Sequence, residues 1–230
     1  MPVAIVTGAS RGLGFALSQA LVRRGWRLVV DARGAEPLRR AAAELRREGD
    51  VVAIAGDVSH PVHRRALAAA AGAHVDLLVN NASALGPSPL PALADLDAAA
   101  LRDVLEVNVV APLALAQLVI PRMAPGGRII NVTSDAAVEA YPGWGGYGTS
   151  KAALEQLSAV LAAEHPELRV HAVDPGDMRT QMHQDAFPGE DISDRPPPED
   201  SVPGLLALIE ADVASGRHRA AELVDGVLGA

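Results

Sequence analysis

At 230 residues, 49% hydrophobic and 3% aromatic, the chain is long enough for one large domain with a substantial core built from small aliphatic side chains. It has no cysteine, which excludes disulfides, thiolate catalysis and cysteine metal sites, and its net charge of −8 argues against nonspecific nucleic-acid binding. No apolar run in the sequence approaches the roughly 20 residues of a membrane span, and no basic n-region precedes Val3. The chain therefore reads as a cytoplasmic protein with neither nucleic acid nor membrane as partner.

Short runs rich in Val, Ile and Leu recur at Val3–Val6, Leu28–Val30, Val51–Ala55, Val75–Val79, Arg128–Val132 and Arg169–Val173. They do not alternate polar with apolar, which is the pattern of strands buried on both faces of a parallel sheet. Segments of helical period lie between them: Leu13, Leu17 and Leu21, then Leu38, Ala42 and Leu45, then Leu101, Leu105 and Asn108. A seventh strand is expected near Glu222–Val227. The pattern predicts one α/β domain over residues 1–230, a doubly wound parallel sheet of about seven strands with helices on both faces.

The first strand runs into Thr7-Gly-Ala-Ser-Arg-Gly-Leu-Gly14, and a helix follows. Glycines at 8, 12 and 14 allow a tight turn and close backbone approach to a pyrophosphate, whose charge suits the helix N-terminus. The second strand ends in Asp31-Ala-Arg33. A carboxylate reaching the ribose there would favour NAD, whereas Arg33, with Arg11, would bind the 2′-phosphate of NADPH. NADPH is expected, with NAD less favoured and Asp31 the complication.

Val109–Ile120 is apolar nearly all round despite Pro112, which suggests burial against a second subunit together with the helix after Tyr147. Ser134 lies thirteen residues before Tyr147 in Tyr147-Gly-Thr-Ser-Lys151. On a helix, Tyr147 and Lys151 share a face. An ammonium beside a phenol favours phenolate, and a serine hydroxyl can hold the oxygen that the phenol protonates. Such a set serves proton transfer in a carbonyl/alcohol pair. Taken alone, Ser134 reads equally as a helix cap, with Thr133 competing for its role.

The long stretch from about 176 to 200, rich in Pro, Asp and Glu, follows the sixth strand and is expected to be a substrate lid. Its Met178, Met182 and Phe187, with Leu85, Tyr141 and Trp144, are candidates for an apolar pocket wall. The acids Glu190, Asp191 and Asp194 are expected to face water. The seven histidines show no metal-ligand spacing, and no metal is expected.

Together these residues resemble the short-chain dehydrogenase/reductase family over most of the chain. Thr7–Gly14 resembles its cofactor turn, so Gly8, Ser10, Arg11, Gly12, Leu13 and Gly14 are implied cofactor contacts. Asp57 and Val58 look like the pair that contacts the adenine. Asn80-Asn81-Ala82-Ser83 resembles the family's Asn-Asn-Ala-Gly, with serine in place of the usual glycine. Asp174-Pro175-Gly176 and Thr180 resemble the segment at the nicotinamide carboxamide, with Met178 in a usually β-branched position. Ala32-Arg33 match the pattern of NADP-dependent members.

Asn108, Ser134, Tyr147 and Lys151 match the catalytic tetrad. The resemblance implies a Rossmann-like fold and reversible reduction of a small-molecule ketone or aldehyde, with Tyr147 as general acid/base and Lys151 also at the nicotinamide ribose. It places a water at Asn108 that links the lysine to solvent. It implies a homodimer, with a tetramer as the further option, although the C-terminus lacks the family's glycine-rich ending. The competing reading is a nonenzymatic dinucleotide-binding sensor on the same fold.

Overall fold

A computed structural model describes residues 1–227, with side chains through residue 223. In chain order the main elements are β1 (Val3–Val6), α1 (Gly12–Arg23), β2 (Arg27–Ala32), α2 (Ala35–Leu45), β3 (Val51–Ala55), α3 (Pro61–Ala71) and β4 (Leu77–Asn80). There follow α4 (Ala98–Leu105), α5 (Ala111–Val119), β5 (Arg128–Val132), α6 (Gly145–Glu164), β6 (Arg169–Asp174), α7 (Gln181–Ala186), α8 (Val202–Glu210), β7 (Gly216–Arg219) and α9 (Ala220–Val227). All seven strands are parallel, in the order β3-β2-β1-β4-β5-β6-β7.

The period-2 geometry of each strand sorts its apolar residues onto two cores. Ala4, Val6, Leu77, Val79, Ile130 and Val132 meet Leu17, Leu21, Leu38 and Leu205 from α1, α2 and α8. Val3, Ile5, Leu78 and Ile129 meet Leu67, Leu115, Val119 and Leu161 from α3, α5 and α6. Burying each such side chain contributes about 1.5–3 kcal/mol, so neither strand face is dispensable.

The strand order reverses between β1 and β4, where β1 leads to one edge of the sheet and β4 to the other. The carboxyl ends diverge at such a point and leave a crevice. The turns after β1, β2, β4, β5 and β6 all open into it.

Two expectations need correction. The seventh strand is Gly216–Arg219, and Glu222–Val227 belongs to α9. Val173 and Asp174 pair with His218 and Arg219, so this edge strand is set by its backbone ladder rather than by apolar side chains. In addition, α4, a π-helical turn at Glu106–Val110, α5 and a 3₁₀ turn join into one 25-residue helix, Ala98–Arg122, within which an 18-residue stretch has mean hydropathy 1.8. By length and composition that helix is sufficient to cross a membrane, a feature concealed in sequence by its polar breaks. Here it packs on α3 and α6, and its buried Asn108 hydrogen-bonds to neighbouring protein groups.

Candidate active site

The cleft at the crevice has a volume of about 1330 Å³. Gly8, Ser10, Arg11, Gly12, Leu13, Arg33, Asp57, Val58, Asn81 and Ala82 line one part of it, and Ser134, Tyr147, Lys151, Pro175, Gly176 and Thr180 line the rest. Of the residues singled out in the sequence, Gly14 and Asn108 alone lie behind its wall.

The turn after β1 shows why it needs glycine. Gly8 and Gly12 adopt φ of +69° and +58°, which penalises any side chain. A Cβ on Gly14 would meet Asn81 Nδ2 at 2.5 Å and Gly8 O at 2.6 Å. No side chain caps α1, so its first amide groups are left for an anionic ligand at the cleft. Asn81 secures this turn from β4: its Nδ2 donates to Thr7 O at 2.8 Å and to Gly8 O at 3.2 Å. The Asn81 and Ala82 amides both donate to Thr7 Oγ1 at 3.0 Å.

Asp31 is fully buried. Its Oδ1 accepts from Gly8 N at 2.8 Å, and its Oδ2 accepts from His63 Nε2 at 2.8 Å. The carboxylate braces the glycine turn from beneath, with both oxygens committed to the protein. Arg11 and Arg33 are exposed at the same end of the cleft, with no ion pair among the described residues. Burial pushes the Asp57 carboxyl up, but hydrogen bonds from Ser59 and the charge of Arg33 hold it below its ordinary value.

Tyr147 and Lys151, one turn apart on α6, are both buried, with Lys151 Nζ 5.4 Å from the centre of the Tyr147 ring. Lys151 Nζ donates to Val132 O at 2.7 Å. Burial pushes the Tyr147 phenol up to about 12, and the charges of Asp135 and Asp174 add to it, while the hydroxyls of Ser83 and Ser134 oppose the rise. Burial alone brings Lys151 down to about 7. Desolvation dominates at both groups, keeping the phenol protonated and weakening the ammonium.

Thr133 does not compete with Ser134, because its hydroxyl donates to Glu155 Oε1 on α6 at 2.8 Å. Arg217 on β7 joins the same group, bonding Glu155 at 2.9 Å and reaching Asp174 and the Ser134 carbonyl at 3.4 Å. Ser134 Oγ faces the cleft and donates to Asp135 Oδ1 at 2.9 Å.

Asn108 sits in the π-helical turn with every side-chain position satisfied. Its Nδ2 donates to Ala84 O and Ser150 Oγ, and its Oδ1 accepts from Ala84 N and Ser83 Oγ. Ser150 Oγ in turn donates to Tyr147 O at 2.6 Å. The amide thus clamps the segment after β4 to the helix bearing Tyr147. This leaves the Asn108 side chain no free position for a water.

From the stretch 176–200, residues 176–183, Asp185, Phe187 and Pro198 line the cleft. Trp144, Met182 and Phe187 pack with Leu85, Leu90 and Tyr147, as expected, whereas Met178 packs on the α1/α8 core and only edges the cleft. Glu190, Asp191 and Asp194 are exposed. His63, Ser83, Asp135 and Arg217 were not legible as site residues. The serine at a family glycine position was a signal for Ser83 alone.

Residues 2–191 match the family model described as short chain dehydrogenase. Over 191 residues the chain is 37% identical to the Bos taurus dehydrogenase/reductase SDR family member 4, covering 78% of this chain and 67% of that protein. Among solved structures it superposes on a short chain dehydrogenase from Pseudomonas syringae with TM-score 0.89 and 29% identity, covering 95% of this chain and 94% of the other. A short chain dehydrogenase from Shigella flexneri complexed with NADP gives TM-score 0.86 and 28% identity, covering 96% and 97% of the two chains.

Lys151 generates a pH signature in the free protein. The unfolded lysine stays protonated to its ordinary 10.5, whereas the folded one releases its proton near 7. Between those values the unfolded state binds more protons, so this residue makes stability rise with pH, by on the order of a few kcal/mol in total. Thermal unfolding from pH 7 to 10 should show this rise, relative to Lys151→Met, in the wild type. Parallel curves for the two proteins would contradict it.

Proposed function

Because the chain belongs to the short-chain dehydrogenase/reductase family, we propose that this oxidoreductase is an NADPH-dependent enzyme that reduces a ketone or aldehyde to an alcohol, reversibly. The observation that carries the reading is one cleft holding two parts: a glycine turn with unpaired Arg11 and Arg33, and a buried Tyr147–Lys151 pair beside Ser134.

The residues fit a nicotinamide dinucleotide. A side chain on Gly8 or Gly14 would fill the cradle under the pyrophosphate, and the uncapped α1 amides suit its charge. Arg11 and Arg33 would take the 2′-phosphate, since Asp31 is buried and each of its oxygens already accepts from the protein. The NADP complex of the Shigella flexneri relative supports that preference. Asp57 and Val58 would meet the adenine, Asn81 and Ala82 would border the nicotinamide end, and Pro175, Gly176 and Thr180 would flank the carboxamide.

When bound, the dinucleotide supplies the hydride. Tyr147, kept protonated by burial, donates its proton to the developing alkoxide as general acid, and Ser134 Oγ holds that oxygen. The Lys151 ammonium, weakened without an anionic partner, gains one once the dinucleotide and the phenolate stand beside it. Asn108 positions Tyr147 through Ser150. Residues 176–200 act as the lid of this single domain.

We also propose a homodimer through the outer faces of α5, with the π-helical turn before it, and α6, where Val110 of that turn and Val160 of α6 leave apolar surface exposed. Light scattering at micromolar concentration should return twice the 23.7 kDa monomer, and a monomeric mass would reject the assembly. The chemistry is tested by Tyr147→Phe against a panel of apolar and aromatic carbonyls, following NADPH absorbance. Turnover should fall by about 10²–10⁴-fold while NADPH binding persists. Unchanged turnover would reject the mechanism. Binding of NADPH with turnover of no carbonyl, even in the wild type, would favour the sensor reading instead.

A further inference from the structure

The part of the cleft next to Tyr147 is walled by Tyr141, Trp144 and Phe187, and it contains the half-buried carboxylate of Asp135. Trp144 packs edge-on against Tyr147 at 5.7 Å between ring centres, and lies 5.9 Å from Phe187. An ionised group amid such walls is normally matched by a cation. Asp135 has none among the described residues. Its partners are Ser134 Oγ at 2.9 Å, Ala136 N at 2.8 Å and Tyr141 Oη at 3.1 Å, the first two on Oδ1 and the last on Oδ2.

The other ionisable groups nearby do not supply the missing charge. His183 Nδ1 stands 3.9 Å from Asp177, which Arg195 also approaches at 3.6 Å. Arg11 and Arg33 stand at the opposite end of the cleft, beside the glycine turn. The cleft therefore carries Arg11 and Arg33 where the dinucleotide phosphates would lie and, where the substrate would lie, a carboxylate with no ion pair among the described residues, since Lys151 Nζ donates to Val132 O and Arg179 to Ser193 O.

The Ser134 contact gives this charge a mechanistic consequence. Asp135 Oδ1 accepts from Ser134 Oγ and so competes for the proton that the proposed chemistry directs at the carbonyl oxygen. A cation arriving at Asp135 would compete for the carboxylate and release the serine hydroxyl. It would also offset the charge that holds the Tyr147 proton back. The three aromatic faces would attract the same cation through their π-systems.

We infer that Asp135 is a charge-selecting residue of the substrate site, and that the preferred carbonyl substrates carry a cationic nitrogen on a short spacer from the carbonyl. This deepens the reading of the cleft as a carbonyl reductase and rests on it. Aromatic walls alone would accept any apolar ketone. The lone carboxylate beside Ser134 distinguishes a substrate that brings its own positive charge.

Three ketones of matched shape test the inference: dimethylaminopropiophenone as the cation, isohexanophenone as its neutral counterpart and benzoylpropionate as the anion. With NADPH, kcat/KM should favour the cation over the neutral ketone by about tenfold or more, and the anion should be slowest. Asp135→Asn keeps the shape and the acceptor for Ser134 while removing the charge, so it should collapse that ratio toward one. Calorimetry with phenylpropylammonium, on protein saturated with NADP, reads the same selectivity without turnover. Binding that Asp135→Asn weakens by about tenfold supports the inference even if no ketone is reduced, in which case the carbonyl-reductase reading alone fails. Equal kcat/KM for the cation and the neutral ketone, or a ratio and an ammonium affinity that Asp135→Asn leaves unchanged, would overturn it.

Discussion

A buried carboxylate at the end of β2 joins three parts of the cleft. Asp31 takes a hydrogen bond from Gly8 in the turn after β1 and another from His63 on α3, and its own backbone carbonyl accepts from Ala9 N at 2.8 Å. The turn takes left-handed φ at Gly8 and Gly12, which glycine adopts without steric cost, and the Gly8 amide is fixed by the Asp31 carboxylate beneath it. Asn81 braces the same turn from the β4 side. With both braces in place, the phosphate site is held by side chains that the ligand itself need not order. Such preorganisation reduces the entropy lost on binding.

The same geometry removes the acid that would otherwise select against a 2′-phosphate. An aspartate two residues before Arg33 reads in sequence as a rival for the ribose. In the fold its oxygens point into the protein, and the surface is left to Arg11 and Arg33. At the other end of the cleft, burial rather than neighbouring charge dominates, raising the Tyr147 phenol and lowering Lys151. A site in this condition is poised to give a proton and awaits a charged ligand to complete its electrostatics.

Much of the fold was legible because six of the strands are short apolar runs, five of them buried on both faces and β3 half-buried at the sheet edge, and the helices between them keep a clear period. The glycine turn and the Tyr147–Lys151 spacing were equally plain, since backbone geometry and helical period alone dictate them. The seventh strand was misplaced because Gly-Arg-His-Arg at 216–219 carries no apolar signal, whereas the apolar residues of 222–227 follow a helical one. Asp31, His63 and Arg217 act through partners far away in sequence, and no local pattern announces such pairs. The choice between Ser134 and Thr133 likewise became decidable only when Glu155 was seen to engage Thr133. The direction of the Tyr147 and Lys151 shifts was missed because spacing reports proximity but not desolvation.

The central claim is that Asp31 serves the glycine turn and leaves Arg33 to choose the dinucleotide. Its most direct measurement is the affinity of the purified protein for NADP and for NAD, by calorimetry, in the wild type and in Arg33→Ala. The account predicts clear preference for NADP in the wild type and a loss in Arg33→Ala that falls on NADP far more than on NAD. Tighter binding of NAD by the wild type, or equal losses for both dinucleotides, would contradict it.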